Sequence, residues 1–157
     1  MLHLLARHSM IDLEIEAKGD LEVDSHHTVE DCGICFGQAL GKALGDKKGI
    51  RRYGEARLPM EEALAEAALD FCGRPYLVFE APLERETIGN YDVEMTEDFF
   101  RALCNNAGLT LHLRVPYGRN AHHVIEALFK AFARALRQAV EIDPRQGGQA
   151  PSTKGVL

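Results

Sequence analysis

His26-His27-Thr28-Val29-Glu30 returns 96 residues later as His122-His123-Val124-Ile125-Glu126, and each copy opens a helical pattern with an Ala-Leu tail. One fixed offset between two chemically alike segments marks a duplicated structural unit. Working outward from the first copy, Val29, Phe36, Ala39, Leu40, Ala43 and Leu44 fall at helical spacing over 27–44. Asp24-Ser25 leads this helix in and Gly45 stops it. The second copy predicts a matching helix over 123–140, carried by Ile125, Leu128, Phe129, Phe132, Leu136 and Val140 and ended by Asp143-Pro144.

Counting back from each histidine pair, Leu13, Ile15 and Ala17 align with Leu109, Leu111 and Leu113, an alternation that predicts one strand in each half. Helical stretches at 1–7 and 94–106 precede them, so each half reads helix, strand, His-His helix. Between the twins, 51–58 and 76–80 are strand-like, with Gly73-Arg74-Pro75 as a turn. Residues 61–71 are helix-favouring in composition, yet Ala67, Leu69 and Phe71 alternate; they read as one arm of a hairpin around residue 74. The expected fold class is α+β, with pseudo-symmetric halves at 1–72 and 73–157 forming one unit. A second half starting at Gly73 puts the start of the first at 73 − 96 = −23, so the front of the first repeat is expected to lie ahead of Met1.

A chain of 157 residues, 46% of them hydrophobic, can bury a real core. A net charge of −6 argues against nucleic acid as a bulk partner, since neutralising phosphates needs clustered Lys and Arg. No stretch approaches the roughly 18 apolar residues of a membrane span, and the N-terminus has no charged leader or cleavage site. A cytoplasmic protein with no membrane partner is expected. Cys32, Cys35, Cys72 and Cys104 are expected to be reduced, with the Cys32-x-x-Cys35 pair read as core packing.

Paired imidazoles followed by a carboxylate form a ligand set for a divalent metal. Adjacent helical residues sit about 100° apart, so the two histidines of a pair serve different ions, while Glu30 and Glu126, three and four residues on, can join either. Four imidazoles and two carboxylates suffice for two metal sites if neighbouring subunits share them. Nitrogen and carboxylate donors without thiolate suit Mn, Fe, Co, Ni or Zn. One isolated pair would more often cap a helix or fill a polar pocket; two in register, each with its glutamate, point to metal. Arg52, Arg74, Lys130 and the tail Ser152-Thr153-Lys154-Gly155 are candidates for an anion site. Residues 41–49, with Lys42, Lys47 and Lys48, lack the spacing of a phosphate loop.

Taken together these residues resemble the imidazoleglycerol-phosphate dehydratases of histidine biosynthesis. The likeness runs through Gly19-Asp20-Leu21, 24–31, Gly49-Ile50-Arg51-Arg52, Pro59-Met60, Gly73-Arg74-Pro75, Leu111-His112, 120–126, Phe129-Lys130-Ala131 and Pro151-Ser152-Thr153-Lys154-Gly155. The resemblance implies two similar α+β halves, each a small sheet with helices on one side, a duplication like that of ribosomal protein S5 domain 2. It implies manganese, two ions per active site, and a homo-oligomer of 24 subunits built from trimers. His26, His27, Glu30, His122, His123 and Glu126 would be ligands. Arg52, Arg74, Ser152 and Lys154 would hold the phosphate of a small phosphorylated imidazole substrate, with His8 and Lys130 near it. The implied reaction is a dehydration in which the metals act as Lewis acids on the substrate imidazole and acid/base work falls to Glu30 and Glu126. The family carries Asp-His directly before the Met-Leu that opens this chain, that histidine being a ligand, and a catalytic glutamate further upstream. Many members have histidine where this chain has Asp98, before Phe99-Phe100. Two rival readings use the same ligands: a dimetal phosphohydrolase, and a non-catalytic, metal-linked assembly protein.

Overall fold

The computed structural model describes residues 1–155 and 157. In chain order they form α1 (Leu2–Ser9), α2 (His26–Leu44), β1 (Tyr53–Met60), β2 (Ala63–Asp70), β3 (Tyr76–Glu80), the short β4 (Thr87–Ile88) and β5 (Tyr91–Asp92), α3 (Met95–Ala107), β6 (Thr110–Tyr117) and α4 (Ala121–Val140). The fold class is α+β, as expected. One four-stranded sheet has the order β1-β2-β6-β3, antiparallel except where β3 runs parallel to β6 through the α3 crossover. It takes two strands from either side of residue 72.

The stretch 61–71 is mostly strand. Ala63, Ala65, Ala67 and Leu69 are buried on one face of β2, whose place between β1 and β6 overrides the helix-favouring composition. The expected hairpin around residue 74 is not formed. The hairpin turn is Glu61-Glu62, joining Met60 to Ala63, and the chain passes from β2 through Gly73 to β3 at the far side of β6. Nothing in Glu-Glu announces a turn, yet Glu61 takes the left-handed conformation (φ 47°) such a turn requires. Pro116 is tolerated in the central strand β6 because the β2 register slips opposite it, between Leu64 and Glu66.

The alternation at 13–17 does not become a strand. Among the described residues no strand lies alongside to complete its hydrogen bonds, and a lone strand cannot satisfy its backbone. Leu13 and Ile15 instead line an apolar cleft with Leu2, Val29, Phe99 and Ile125.

The α4 helix crosses the inner face of the sheet, packing on β1, β2 and β6. Contact with β1 is so close that a Cβ on Gly54 would lie 1.9 Å from the Ala135 carbonyl oxygen. The α2 helix packs against α3, and α1 against α4. A shift of 96 residues carries α1 onto α3 and α2 onto α4, so each half lends a helix to the other. Gly33 and Gly37 set the α2–α3 approach, where added Cβ atoms would meet Phe99 and Leu103 carbonyl oxygens at 2.6 and 2.7 Å. That stripe turns Ala39, Ala43 and Cys35 outward, against the expectation that they pack in the core. Cys72 and Cys104 are buried, Cys32 is half-buried, and all four thiols are free.

Candidate functional site

Both histidine pairs open a helix. The Asp24 carboxylate accepts the His26 backbone N–H at 2.8 Å, and the Asn120 side-chain oxygen accepts those of His122 and His123 at 2.9 and 3.3 Å. Asp24 and Asn120 are themselves 96 residues apart. The paired rings stand nearly perpendicular, at 83° with centroids 6.1 Å apart in the first pair and 80° and 6.3 Å in the second. The two rings of each pair face different carboxylates, His26 and His27 those of Asp98 and Asp20, His122 and His123 those of Glu126 and Glu62.

Each second imidazole meets a carboxylate through Nδ1: His27 with Asp20 at 2.8 Å and His123 with Glu62 at 2.7 Å. The other Glu62 oxygen accepts the backbone N–H groups of Asn120 and Arg119 at 2.8 and 3.2 Å. The His123 hydrogen bond, aided by these backbone donors, holds the Glu62 carboxyl down at about 2. The same contacts push His27 and His123 upward and Asp20 downward.

The first imidazoles look elsewhere. His122 Nε2 lies 3.3 Å from Glu126, whose other oxygen meets Lys130 Nζ at 2.5 Å. The Lys130 hydrogen bond lowers the Glu126 carboxyl and keeps it ionised. His8 of α1 sits beside Lys130; burial, then the charges of Lys130 and Arg134, lower its pKa and favour the neutral ring. His26 Nδ1 is 3.8 Å from Asp98, across the α2–α3 contact, and Glu30 is exposed.

These donors fit a divalent cation. Two ligand atoms on bonds of 2.0–2.2 Å stand roughly 3–3.5 Å apart at one ion, and His122 Nε2 and Glu126 Oε2 already do. Among the described residues, the group of three that brings its ligand atoms within 4.8 Å of one another is Glu61, Glu62 and His123. The residues of His26-His27-Glu30 and of His122-His123-Glu126 are not gathered at one point within a single chain, as separate ions for the two imidazoles of a pair would require.

Arg52 lies at the opposite end of β1. Its Nε and Nη2 donate to Asp70 at 2.6 and 3.0 Å, and its Nη1 to the Pro151 carbonyl at 2.9 Å, tying down the tail that carries Ser152 and Lys154. The Arg52 backbone is left-handed (φ 72°), an uncommon conformation for a residue with a side chain. Arg74 is exposed on the turn between β2 and β3. From Arg52 to Glu61 the extended chain spans about 30 Å, at about 3.3 Å per residue. A small phosphorylated substrate cannot bridge that distance, so a single chain does not unite Arg52 and the tail it holds with the second imidazole pair; of the anion-site candidates Lys130 lies beside that pair, bonded to Glu126.

A family model for imidazoleglycerol-phosphate dehydratase matches residues 1–136. The imidazoleglycerol-phosphate dehydratases of Symbiobacterium thermophilum and Moorella thermoacetica are 63% and 60% identical over the whole of this chain, which covers 75% and 80% of their lengths. The chain belongs to the imidazoleglycerol-phosphate dehydratase family. Two solved family members share its fold. The crystal structure from Staphylococcus aureus has 48% identity and a TM-score of 0.85, over 90% of this chain and 80% of its own. That from Pyrococcus furiosus has 30% identity and a TM-score of 0.80, over 99% and 83%.

Against the residues expected from the family likeness, the structure adds Glu62, Asp70 and a partnership for Asp20. Asp20 belongs to the Gly19-Asp20-Leu21 motif but carried no assigned role; Glu62 and Asp70 stand in strand and turn sequence that looks structural. In this dehydratase the Glu62–His123 pair should shape acid and alkaline stability when no metal is bound. Glu62 lies below its ordinary 4.5, so its contribution is full above that pH and is lost as pH falls towards about 2. His123 lies above its ordinary 6.5, so its contribution is full below 6.5 and is lost as pH rises through the elevated value. The Tm difference between wild type and Glu62→Gln should therefore peak between pH 4.5 and 6.5 and narrow on both sides. Thermal melts in chelator-treated buffer that show the same difference at every pH would contradict this.

Proposed function

We propose that the chain dehydrates D-erythro-imidazoleglycerol phosphate to imidazole acetol phosphate in histidine biosynthesis, as a cytoplasmic, manganese-dependent homo-oligomer of 24 subunits built from trimers. The observation that carries this reading is the family match over residues 1–136, which includes both His-His-x-x-Glu helix starts. Among the described residues no helix is long and apolar enough to cross a membrane, which accords with it.

In this reading His26, His27, Glu30, His122, His123 and Glu126 hold the manganese, and Asp98, beside His26, stands where many members place a further histidine. Bound manganese supplies Lewis-acid polarisation of the substrate's imidazole nitrogens. Water leaves as a hydroxyl from the carbon next to the ring and a proton from the neighbouring C–H; the resulting enol becomes the ketone. Glu126 is kept ionised by Lys130, the form that can ligate a cation or accept a proton, with Glu30 its counterpart on α2. The neutral ring of His8 adds a donor and an acceptor beside Lys130. Of the five guanidinium N–H donors, Arg52 commits three to Asp70 and Pro151. Two remain for a phosphate oxygen, with Arg74, Ser152 and Lys154 completing the anion site. Fixing the phosphate at one end orients the reacting carbons at the other. Because Arg52 and Glu61 terminate opposite ends of β1, the reading requires residues of more than one copy at each site.

Incubating the manganese-loaded protein with the substrate and identifying the product tests the activity. Imidazole acetol phosphate is the expected product; release of inorganic phosphate would favour the phosphohydrolase reading, and no turnover would favour an assembly protein.

A further inference from the structure

An imidazole that binds metal through one nitrogen is commonly held through the other by a carboxylate, which sets the tautomer, orients the ring and raises its basicity. His27 and His123 have such a partner at Nδ1, Asp20 and Glu62, at 2.8 and 2.7 Å. His122 presents Nε2 to Glu126, and His26 Nδ1 is 3.8 Å from Asp98, too far for a hydrogen bond. Close Nδ1 contact with a carboxylate thus distinguishes the second imidazole of each pair from the first.

The two partners come from unrelated parts of the chain. Asp20 sits in the loop just before α2, seven residues ahead of His27. The duplication would place its counterpart at Pro116, a residue without a carboxylate, in the irregular part of β6. Glu62 supplies the contact instead, from the β1–β2 turn 61 residues before His123. Helix capping does not demand either contact, since Asp24 and Asn120 already satisfy backbone N–H groups at both helix starts. Equivalent geometry reached from non-equivalent positions calls for a reason at the imidazoles themselves. Glu62 is further fixed by the Arg119 and Asn120 amides, so its carboxylate is a rigid reference for the ring.

We propose that Asp20 and Glu62 are positioning residues: each accepts the Nδ1–H of its imidazole, setting the ring's rotation and leaving Nε2 as the unprotonated nitrogen offered to the cation. This rests on the reading of His27 and His123 as ligands. Neither carboxylate touches the ion in this arrangement; both act through the histidine. Each would serve the half of the molecule to which its imidazole belongs, so loss of one leaves the other pair in order.

The test uses the full chain, with manganese(II) alone as the probe, followed by electron paramagnetic resonance of the free ion. Asp20→Ala and Glu62→Ala should each bind manganese about 10–100-fold more weakly. Glu62→Gln keeps a single acceptor oxygen, which can serve the ring or the amides but not both; it should recover part of that loss and carries the test if Glu62→Ala does not fold. Nitrogen NMR of histidine-labelled, metal-free protein, at a pH high enough for both rings to be neutral, should show His27 and His123 as Nδ1–H tautomers in wild type. That preference should disappear at His27 in Asp20→Ala and at His123 in Glu62→Ala. Wild-type manganese affinity in both alanine variants overturns the proposal, as does weakened binding with unchanged tautomers, the mark of a purely structural role. His27→Ala and His123→Ala separate the two layers. If they also bind manganese normally, the ligand reading itself fails; if they lose manganese while the carboxylate variants do not, only the positioning role fails.

Discussion

His122→Ala is expected to abolish turnover and manganese-dependent assembly together. His122 and Glu126 are four residues apart on α4 and present a nitrogen and an oxygen 3.3 Å apart. With the imidazole gone, Glu126 keeps only Lys130, and an ammonium group already at 2.5 Å competes with any incoming cation. Manganese affinity should fall by more than the roughly 10–100-fold that loss of an outer-shell partner costs. The fold should survive, because His122 is exposed and its contribution to capping α4 is its backbone N–H, which alanine retains. Metal content per chain and particle size, measured on the same preparation, decide the matter. Wild-type stoichiometry and size in this variant would remove His122 from the ligand set.

The largest effect on stability is expected from Gly54→Ala. Gly54 is buried on β1 beneath α4, where an added Cβ would lie 1.9 Å from the Ala135 carbonyl oxygen and 3.1 Å from the Ala139 amide nitrogen. Both neighbours are helix backbone, so no side chain can rotate aside and the whole of α4 must lift from the sheet. Ala127, Ala131, Ala135 and Ala139 on that helix are fully buried, which shows how little slack the interface holds. Overpacking of this kind costs about 3 kcal/mol, a fall in Tm of about 6–12 °C for a domain of this size. Gly45→Ala, where a Cβ meets nothing within 4 Å, carries only the backbone strain of its positive φ and is the comparison. Calorimetry that places Gly54→Ala within a degree or so of wild type would mean the approach of β1 to α4 is looser than described.

Much of this architecture was legible from periodicity. The α2 and α4 helices follow from apolar residues at helical spacing together with a start and a stop signal, and β1 and β3 from strand-like runs bounded by Gly and Pro. The failures share one cause, which is that tertiary neighbours decide them. Residues 13–17 alternate like a strand but find no paired edge. Residues 61–71 do supply a strand arm, but its hairpin partner is β1 through Glu61-Glu62 and not β3 through residue 74. Cys35 sits in an apolar helical pattern, yet the glycine stripe of α2, not its larger residues, chooses the face that meets α3. The paired histidines were visible because their spacing repeats. Glu62 was not, since 61 residues separate it from His123 and only the β1–β2 turn brings them together.

The strand β1 keeps Arg52 and the Glu61-Glu62 turn at opposite ends. If every working site draws the first from one copy and the metal-binding histidines from another, two inactive chains carrying damage at different ends can rescue each other. Co-expressed Arg52→Ala and Lys130→Ala chains, both of which keep the histidines on which assembly depends, would then form mixed particles in which some sites inherit both intact halves. Activity would follow the statistics of subunit mixing, and a gene encoding one defective chain would poison sites in proportion to its dosage instead of merely failing to contribute.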